Sequence, residues 1–448
     1  MRVAYLAAGA AGMYCGSCLH DNTLAAALLR LGEDVVLAPI YTPLRTDEDD
    51  VSVPRVFIGG INAYLQQKLP LFRHTPAWLD RWLDHPWLLR LATSRAASVD
   101  AARLGDMTVS MLRGDEGSQR KELLRLVDWL LEDVKPDVIH LSNALMLGVA
   151  GSIVRRGGPP VVCTLSGEDV FLEKLRPPYY EQARRLLRQG AADVRAFVAL
   201  NGYYADFMSD YLAVARQRIR VIPHGLNLEG HGARQAPPPE GRRRIGFLAR
   251  ICPDKGLHVL VDACERLASG SDVPAFELHA AGYLGAGDRK YLYNLERRIA
   301  AGPLAGRFTY HGELDRPAKI AFLQSLDIFA LPTVYRESKG RPVLEALANG
   351  VPVVAPAHGA FPELLGATGG GLLHEPAGAA DLAEKLTQLL RDPPLVDRLG
   401  RAGQRVVHER FHAAAMAEAT RRLYAELLTT APAPVVADSA APDVAMQK

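Results

Sequence analysis

The sequence predicts an α/β protein made of two doubly wound, Rossmann-like domains that face a central cleft. Three observations carry that expectation. Short, continuous apolar runs alternate with helical stretches along the chain, the pattern of parallel sheets covered on both faces. The alternation pauses at HGARQAPPPEG, where three consecutive prolines read as an exposed linker, and restarts directly after it. The length of 448 residues suits two or three domains at about 150 residues each.

The elements follow in order. The opening run, residues 2–7, has no long apolar core ending in a cleavage site, so it reads as a first strand and not as a signal peptide. Further strands are expected at 34–40, 55–58, 137–142, 160–165, 196–200 and 220–223, each a short apolar run. Helical periodicity places helices at 19–31, 118–134, 147–155, 178–188 and 203–214. After the linker, strands are expected at 244–248, 276–280, 307–311, 328–331 and 352–355, and helices at 257–268, 290–301, 317–325, 342–348, 379–390 and 402–427. The resulting division is residues 1–231, a Pro-rich linker at 232–241, a second domain at 242–428, and a tail at 429–448. The tail is rich in Ala, Pro, Val and Asp and is expected to be disordered with no binding role.

Composition removes several function classes. Lys and Arg number 52 against 50 Asp and Glu, leaving a formal charge of +2, so a dedicated nucleic-acid binder is not expected. Five cysteines are too sparse for a disulfide framework and point to a reducing compartment. No run of about 18 apolar residues predicts a membrane span. The histidines form no metal-ligand pattern, so no metal site is expected.

Ligands of open α/β sheets bind beyond the carboxyl ends of strands. The residues just after strands are therefore the candidates. The strongest string is Glu337-Ser338-Lys339-Gly340-Arg341-Pro342-Val343-Leu344-Glu345, continued by Ala346-Leu347-Ala348-Asn349-Gly350-Val351-Pro352-Val353-Val354-Ala355. Pro342 suits a first helical turn. That places Glu337 in the loop before a helix and Glu345 in its first turn, with the amides around Gly340–Val343 facing the cleft as phosphate donors. A second string, Gly246-Phe247-Leu248-Ala249-Arg250-Ile251-Cys252-Pro253-Asp254-Lys255-Gly256, leaves a strand and enters a helix. Fixed cations there would stabilise a departing diphosphate. A third is the glycine-rich first turn, Gly9-Ala10-Ala11-Gly12-Met13-Tyr14-Cys15-Gly16-Ser17-Cys18, where the backbone can approach a phosphate. The nicotinamide pattern G-x-G-x-x-G is absent. The same stretch reads alternatively as a thiol redox motif.

Together these strings resemble the GT-B retaining glycosyltransferases of the family-4 type. The resemblance implies a GT-B fold and transfer of a hexose from a nucleoside-diphosphate sugar to an acceptor, either a glycan, a lipid or a small molecule. It implies an acceptor-side first domain and a donor-side second domain, whose last helix crosses back to the first. Arg250 and Lys255 would grip the diphosphate, Glu337 the donor sugar hydroxyls, and Glu345 the nucleotide ribose. Gly16 matches the second glycine of the family's Gly-Gly pair, with Cys15 in place of the first and Gly12 nearby. Gly340, Arg341 and Val343 join the donor set. Gly312 and Glu313 fall where the family holds the base, and Gly359 and Ala360 lie in a segment resembling its G-G-x-P-E. His140 resembles the end of its D-V-V-H strand.

The chain departs from that pattern at Lys339 and Arg341, usually apolar, and at Ser166 of Thr164-Leu165-Ser166-Gly167-Glu168-Asp169, where many members carry a sugar-contacting histidine. Glu168 or Asp169 could share that task. The departure leaves two alternatives open: a nucleotide-sugar epimerase on the same fold, or an inactive nucleotide-sugar-binding protein. No cofactor is expected beyond the nucleotide sugar as co-substrate. Asp47-Glu48-Asp49, a possible metal-binding triplet, reads as a solvated charge run. Trp78, Trp82 and Trp87, with Leu79, Leu83, Leu88 and Leu89, fit packing on the first domain, an acceptor groove, or a peripheral membrane contact. The expected location is cytoplasmic, including the inner face of the membrane.

Overall fold

The computed structural model describes residues 1–9, 15–58, 104–235, 242–270 and 273–430. Gly12, the tryptophan-bearing stretch, the prolines of the linker and the tail from residue 431 lie outside the described residues.

Two six-stranded parallel sheets form the frame. The first holds β1 Arg2–Ala7, β2 Asp34–Pro39, β3 Val138–Leu141, β4 Val161–Leu165, β5 Ala196–Ala199 and β6 Ile219–Val221, in the order β2-β1-β3-β4-β5-β6. The second holds β7 Arg243–Leu248, β8 Phe276–Ala281, β9 Phe308–Tyr310, β10 Ile328–Ala330, β11 Val353–Pro356 and β12 Gly371–His374, in the order β12-β11-β10-β7-β8-β9. Each inner strand is apolar on both faces because helices cover both. In β1 every residue after Arg2 is buried, and β3, β4, β5, β10 and β11 are buried throughout. A fully buried Leu or Phe in such a layer contributes about 1.5–3 kcal/mol.

Strand order reverses between β1 and β3 in the first sheet, and between β7 and β10 in the second. Crossovers on opposite sides of these pairs leave a crevice at their carboxyl ends. The loops after β7 and β10 carry Arg250, Lys255 and Glu337.

The chain passes between the lobes twice. Leu226 and His412 form a parallel bridge, with Leu226 N donating to Phe411 O at 2.8 Å and Ala413 N to Leu226 O at 2.8 Å. The helix expected at 402–427 is therefore two helices, Pro393–Arg410 and Ala413–Thr429. His412 caps the second one by accepting from Ala415 N. Only this last helix crosses back, where Met416, Ala417, Leu423 and Tyr424 join the core over β1 and the first helix, Gly16–Arg30.

Other expectations need correction. Residues 55–58 are not a strand; Ile58 N merely donates to Ile40 O at 2.7 Å. Strand β12 was missed because its glycine-rich approach reads as a turn. The start of the linker is docked through Arg234, while Ala233 and Gln235 on either side of it are exposed as expected. Arg234 bonds Asp327 at 2.8 Å and Asp397 at 2.6 Å, which anchors it to the second lobe. Thr429, assigned to the tail, is helical.

Candidate functional site

Lys255 ends a short turn after β7. The next residue, Gly256, has φ +80°, and a Cβ there would lie 1.8 Å from Pro332 O. Only glycine allows that turn to close on the loop after β10. Val334 N donates to Asp254 O at 3.0 Å and fastens the two loops together. The result is a compact cluster: Lys255 Nζ lies 2.8 Å from Glu337 Oε2 and also donates to the Tyr335 hydroxyl. Tyr335 Oη donates to the same carboxylate oxygen at 2.6 Å. Burial alone pushes the Glu337 carboxyl up. The Lys255 ammonium and the Tyr335 hydroxyl outweigh it and hold the group down at about 2.

Arg250, five residues before Lys255, is exposed, and its Nε donates to Cys252 Sγ at 3.4 Å. Among the described residues it forms no ion pair with a carboxylate within 4.0 Å. Its guanidinium can therefore meet an anion in the crevice.

Gly359 and Ala360 support Glu337 from behind. Gly359 has φ +62°, and a Cβ would meet Glu337 O at 2.5 Å. Ala360 N donates to Glu337 O at 2.8 Å, so that amide is occupied by the loop it holds.

The helix carrying Glu345 starts at Arg341 after Gly340, whose φ is +70°. Glu345 is the helix's fifth residue and so lies in the second turn, not the first. Val343 N donates to Gly340 O at 3.0 Å and Pro342 has no N–H, so Val343 offers no amide to the cleft. Glu345 Oε1 accepts from Lys319 Nζ at 2.9 Å and from Arg341 Nε at 3.0 Å. Burial raises this carboxyl, and the two cations overcome that and hold it at about 2.

The acidic stretch 46–50 is not a solvated charge run. Asp47 ion-pairs with Lys319, and Glu48 lies 3.6 Å from Arg341 and 3.7 Å from Arg316, all across the cleft. Two carboxylates of the first lobe thus face three cations of the second at the lobe boundary. Asp47 Oδ1 is buried with no hydrogen-bond partner. Lys319 and Tyr335 were missed by sequence reasoning, and the acidic stretch was read as solvated. The partners of Lys319 lie 26 and 272 positions away, so no local pattern marks them.

The loop after β4 faces Ser338. A Cβ on Gly167 would lie 2.8 Å from Ser338 Oγ, and Asn201 Nδ2 donates to Ser338 O at 2.7 Å. Ser166 Oγ donates to Ser142 O at 3.4 Å. Glu168 accepts from Ala144 N at 2.8 Å and Ser166 N at 2.6 Å, which makes it a brace for the loop. Asp169 accepts from Tyr204 Oη at 2.6 Å, and burial raises its carboxyl. His140 is fully buried. Its Nε2 bonds Thr164 Oγ1 at 2.7 Å and its Nδ1 bonds Tyr424 Oη at 2.5 Å, so neither nitrogen can reach a ligand.

Gly16 opens the first helix, and among the described residues nothing beyond its chain neighbours and its own helix backbone lies within 4 Å of where its Cβ would stand. Lys339 spans the cleft to it, with Nζ 2.7 Å from Ser17 Oγ. Gly312 O accepts from Gly282 N at 2.8 Å, while Glu313 pairs with Arg45 of the first lobe at 3.1 Å. The structure therefore gathers Lys255, Glu337, Lys339, Gly340, Gly359 and Asp169 around one crevice and sets His140 and Glu168 behind it. Among the described residues no group of three His, Cys, Asp or Glu side chains is placed to hold a metal ion, and no helix is long and apolar enough to cross a membrane.

Two lobes, each built on a six-stranded parallel sheet and facing one cleft, have the GT-B architecture. The family comparisons agree. The model for Glycosyl transferases group 1 matches residues 233–406, and that for Glycosyltransferase Family 4 matches 108–229. The phosphatidyl-myo-inositol mannosyltransferase of Mycolicibacterium smegmatis is 31% identical over 366 residues, covering 78% of this chain and 86% of that protein. Sucrose-phosphate synthase from Thermosynechococcus elongatus shares the fold with a TM-score of 0.70 at 17% identity, covering 95% of this chain and 99% of the other. Anabaena Alr3699/HepE in complex with UDP-glucose gives a TM-score of 0.64 at 17% identity, covering 95% and 100%. The chain belongs to the GT-B glycosyltransferases of the family-4 type.

Proposed function

We propose that this chain transfers a hexose from a nucleoside-diphosphate sugar to an acceptor held by the first lobe, with retention at the anomeric carbon. The observation that carries the reading is the Lys255–Glu337 contact at the carboxyl ends of β7 and β10. Arg250 and Lys255 take the diphosphate. Fixed cations at a site where negative charge develops lower the barrier without reorganisation. Glu337, kept ionised, accepts donor sugar hydroxyls. Glu345 receives its two cations through Oε1, and Oε2 takes the ribose. Gly312 and Glu313 stand at the base, and Gly16, Gly340 and Arg341 complete the donor side. The scheme uses no metal, because the cations carry the phosphate charge.

UDP-glucose is the first donor to test, since a structural neighbour holds it. Inositol-bearing molecules are the first acceptors, given the name of the mannosyltransferase relative. The five unpaired cysteines suit a reducing cytoplasm.

The test is release of nucleoside diphosphate from UDP-glucose and related donors, with and without acceptors. Release that depends on acceptor supports transfer. Acceptor-independent isomerisation of the sugar would mark an epimerase. Donor binding without consumption would mark an inactive binding protein, the outcome Ser166 raises.

A further inference from the structure

Five thiols are present, and four of them, Cys18, Cys163, Cys252 and Cys264, are buried. Cys15 alone is half-exposed. It is the N-cap of the helix Gly16–Arg30, in extended conformation, with Cys18 the third helical residue. The Cys15 and Cys18 thiols lie within hydrogen-bonding reach of each other across the first turn. The two thiols therefore share one turn at a helix start, where the dipole favours an anion. A second positive group is also placed there: Lys339 reaches across from the other lobe to 2.7 Å from Ser17 Oγ, between the two cysteines in sequence. The Cys18 thiol, and behind it Lys339 and the amides of Ser17 and Cys18, hold the Cys15 thiol well below its usual range, against the opposing effect of partial desolvation. The hydrogen bond with Cys15, and after it burial, push Cys18 up. That division gives one nucleophile and one resolving thiol.

We propose that Cys15 and Cys18 form a peroxide-reactive dithiol on the cleft wall, which closes reversibly to a Cys15–Cys18 disulfide and is activated by Lys339. The Cys15 thiolate attacks one peroxide oxygen. A sulfur–oxygen bond forms, the oxygen–oxygen bond breaks, and hydroxide leaves. The Cys18 thiol then attacks the Cys15 sulfur, and the sulfur–oxygen bond breaks as the disulfide forms. The second hydroxide leaves, and with the protons released the sum is two thiols plus hydrogen peroxide giving one disulfide plus two waters. The sulfurs are oxidised and the peroxide is reduced. Thiol reductant reverses the closure.

The site is independent of the sugar-transfer reading, because its readout is a mass. The whole protein is treated with hydrogen peroxide, quenched with N-ethylmaleimide and digested with trypsin. Residues 3–30 contain no internal Lys or Arg, and Cys15 and Cys18 are their only cysteines, so one peptide reports the pair. The expected result is loss of two hydrogens with no maleimide added, restored to two maleimides by dithiothreitol. Cys18→Ser should stop at a sulfenic acid on Cys15, trapped by dimedone. Lys339→Met, checked for an unchanged melting temperature, should slow closure several-fold at neutral pH. Two maleimides after peroxide, or a closure rate indifferent to Lys339→Met, would overturn the proposal.

Discussion

Lys255 Nζ lies 2.8 Å from Glu337 Oε2, although the two residues leave different strands of the second sheet. Each neutralises the other in a buried place. An anionic diphosphate can draw on the same lysine, and a sugar hydroxyl on the same carboxylate.

Glu337→Gln should therefore separate sugar from nucleotide. The amide keeps the shape but loses the charge that orders donor hydroxyls. Turnover should fall by about 10²–10³, the cost of deleting one group that stabilises the transition state, while affinity for nucleoside diphosphate alone stays level or rises. Steady-state kinetics beside a diphosphate titration checks this. A parallel loss of both would assign Glu337 to nucleotide binding.

Gly359→Ala should act through Glu337 without touching any ligand. The left-handed backbone costs a non-glycine residue about 1–2 kcal/mol, and the new methyl would meet Glu337 O at 2.5 Å. Expected outcomes are a lower melting temperature and weaker donor binding in a folded protein. Donor affinity unchanged from wild type would show that the loop's position is not set by Gly359.

Much of this was legible in the sequence, and the limits have physical causes. The alternation of β1 through β11 with helices gave both sheets, because strands covered on both faces are apolar throughout. The strings around Arg250 and Glu337 gave the crevice, because strand order fixes which loops meet. What could not be read depends on contacts between lobes. Asp47 and Glu48 look solvated in their own stretch, and it is Lys319, Arg341 and Arg316 from the other lobe that pair with them. Glu363, the last residue of the segment that resembles G-G-x-P-E, accepts from Gly202 N and Tyr203 N, both at 2.9 Å, at the start of a first-lobe helix, a contact no local pattern marks. The break at His412 was hidden by helical periodicity on either side.

The ion-pair cluster at the lobe boundary should be energetically coupled. A double-mutant cycle with Asp47→Asn and Lys319→Met should return a coupling of about 0.5–3 kcal/mol in denaturant unfolding, the range for residues in one network. Additive effects would mean that the two side chains do not interact in solution.

Acid should destabilise the protein earlier than its carboxylates alone require. Burial holds His20 and His140 at about 3 and His231 at about 4, against an ordinary value of 6.5. A histidine with a depressed folded value adds stability above 6.5 and loses it as the pH falls toward the folded value. Each costs about 1.4 kcal/mol per pH unit in that window. Glu337 and Glu345, held at about 2 against 4.5, also contribute stability above their unfolded value and lose it between about 4.5 and 2. The melting temperature should start to fall near pH 6.5 and steepen below 4.5. A flat profile down to 4.5 would contradict the buried neutral histidines.

The most direct measurement is calorimetric titration of UDP and UDP-glucose, with other nucleotide sugars alongside, into the wild type and Lys255→Ala, with folding of the variant verified by melting. The account predicts saturable binding of at least one nucleotide to the wild type and an affinity at least tenfold weaker in the variant. No binding by any nucleotide, or equal affinity in both proteins, would contradict it.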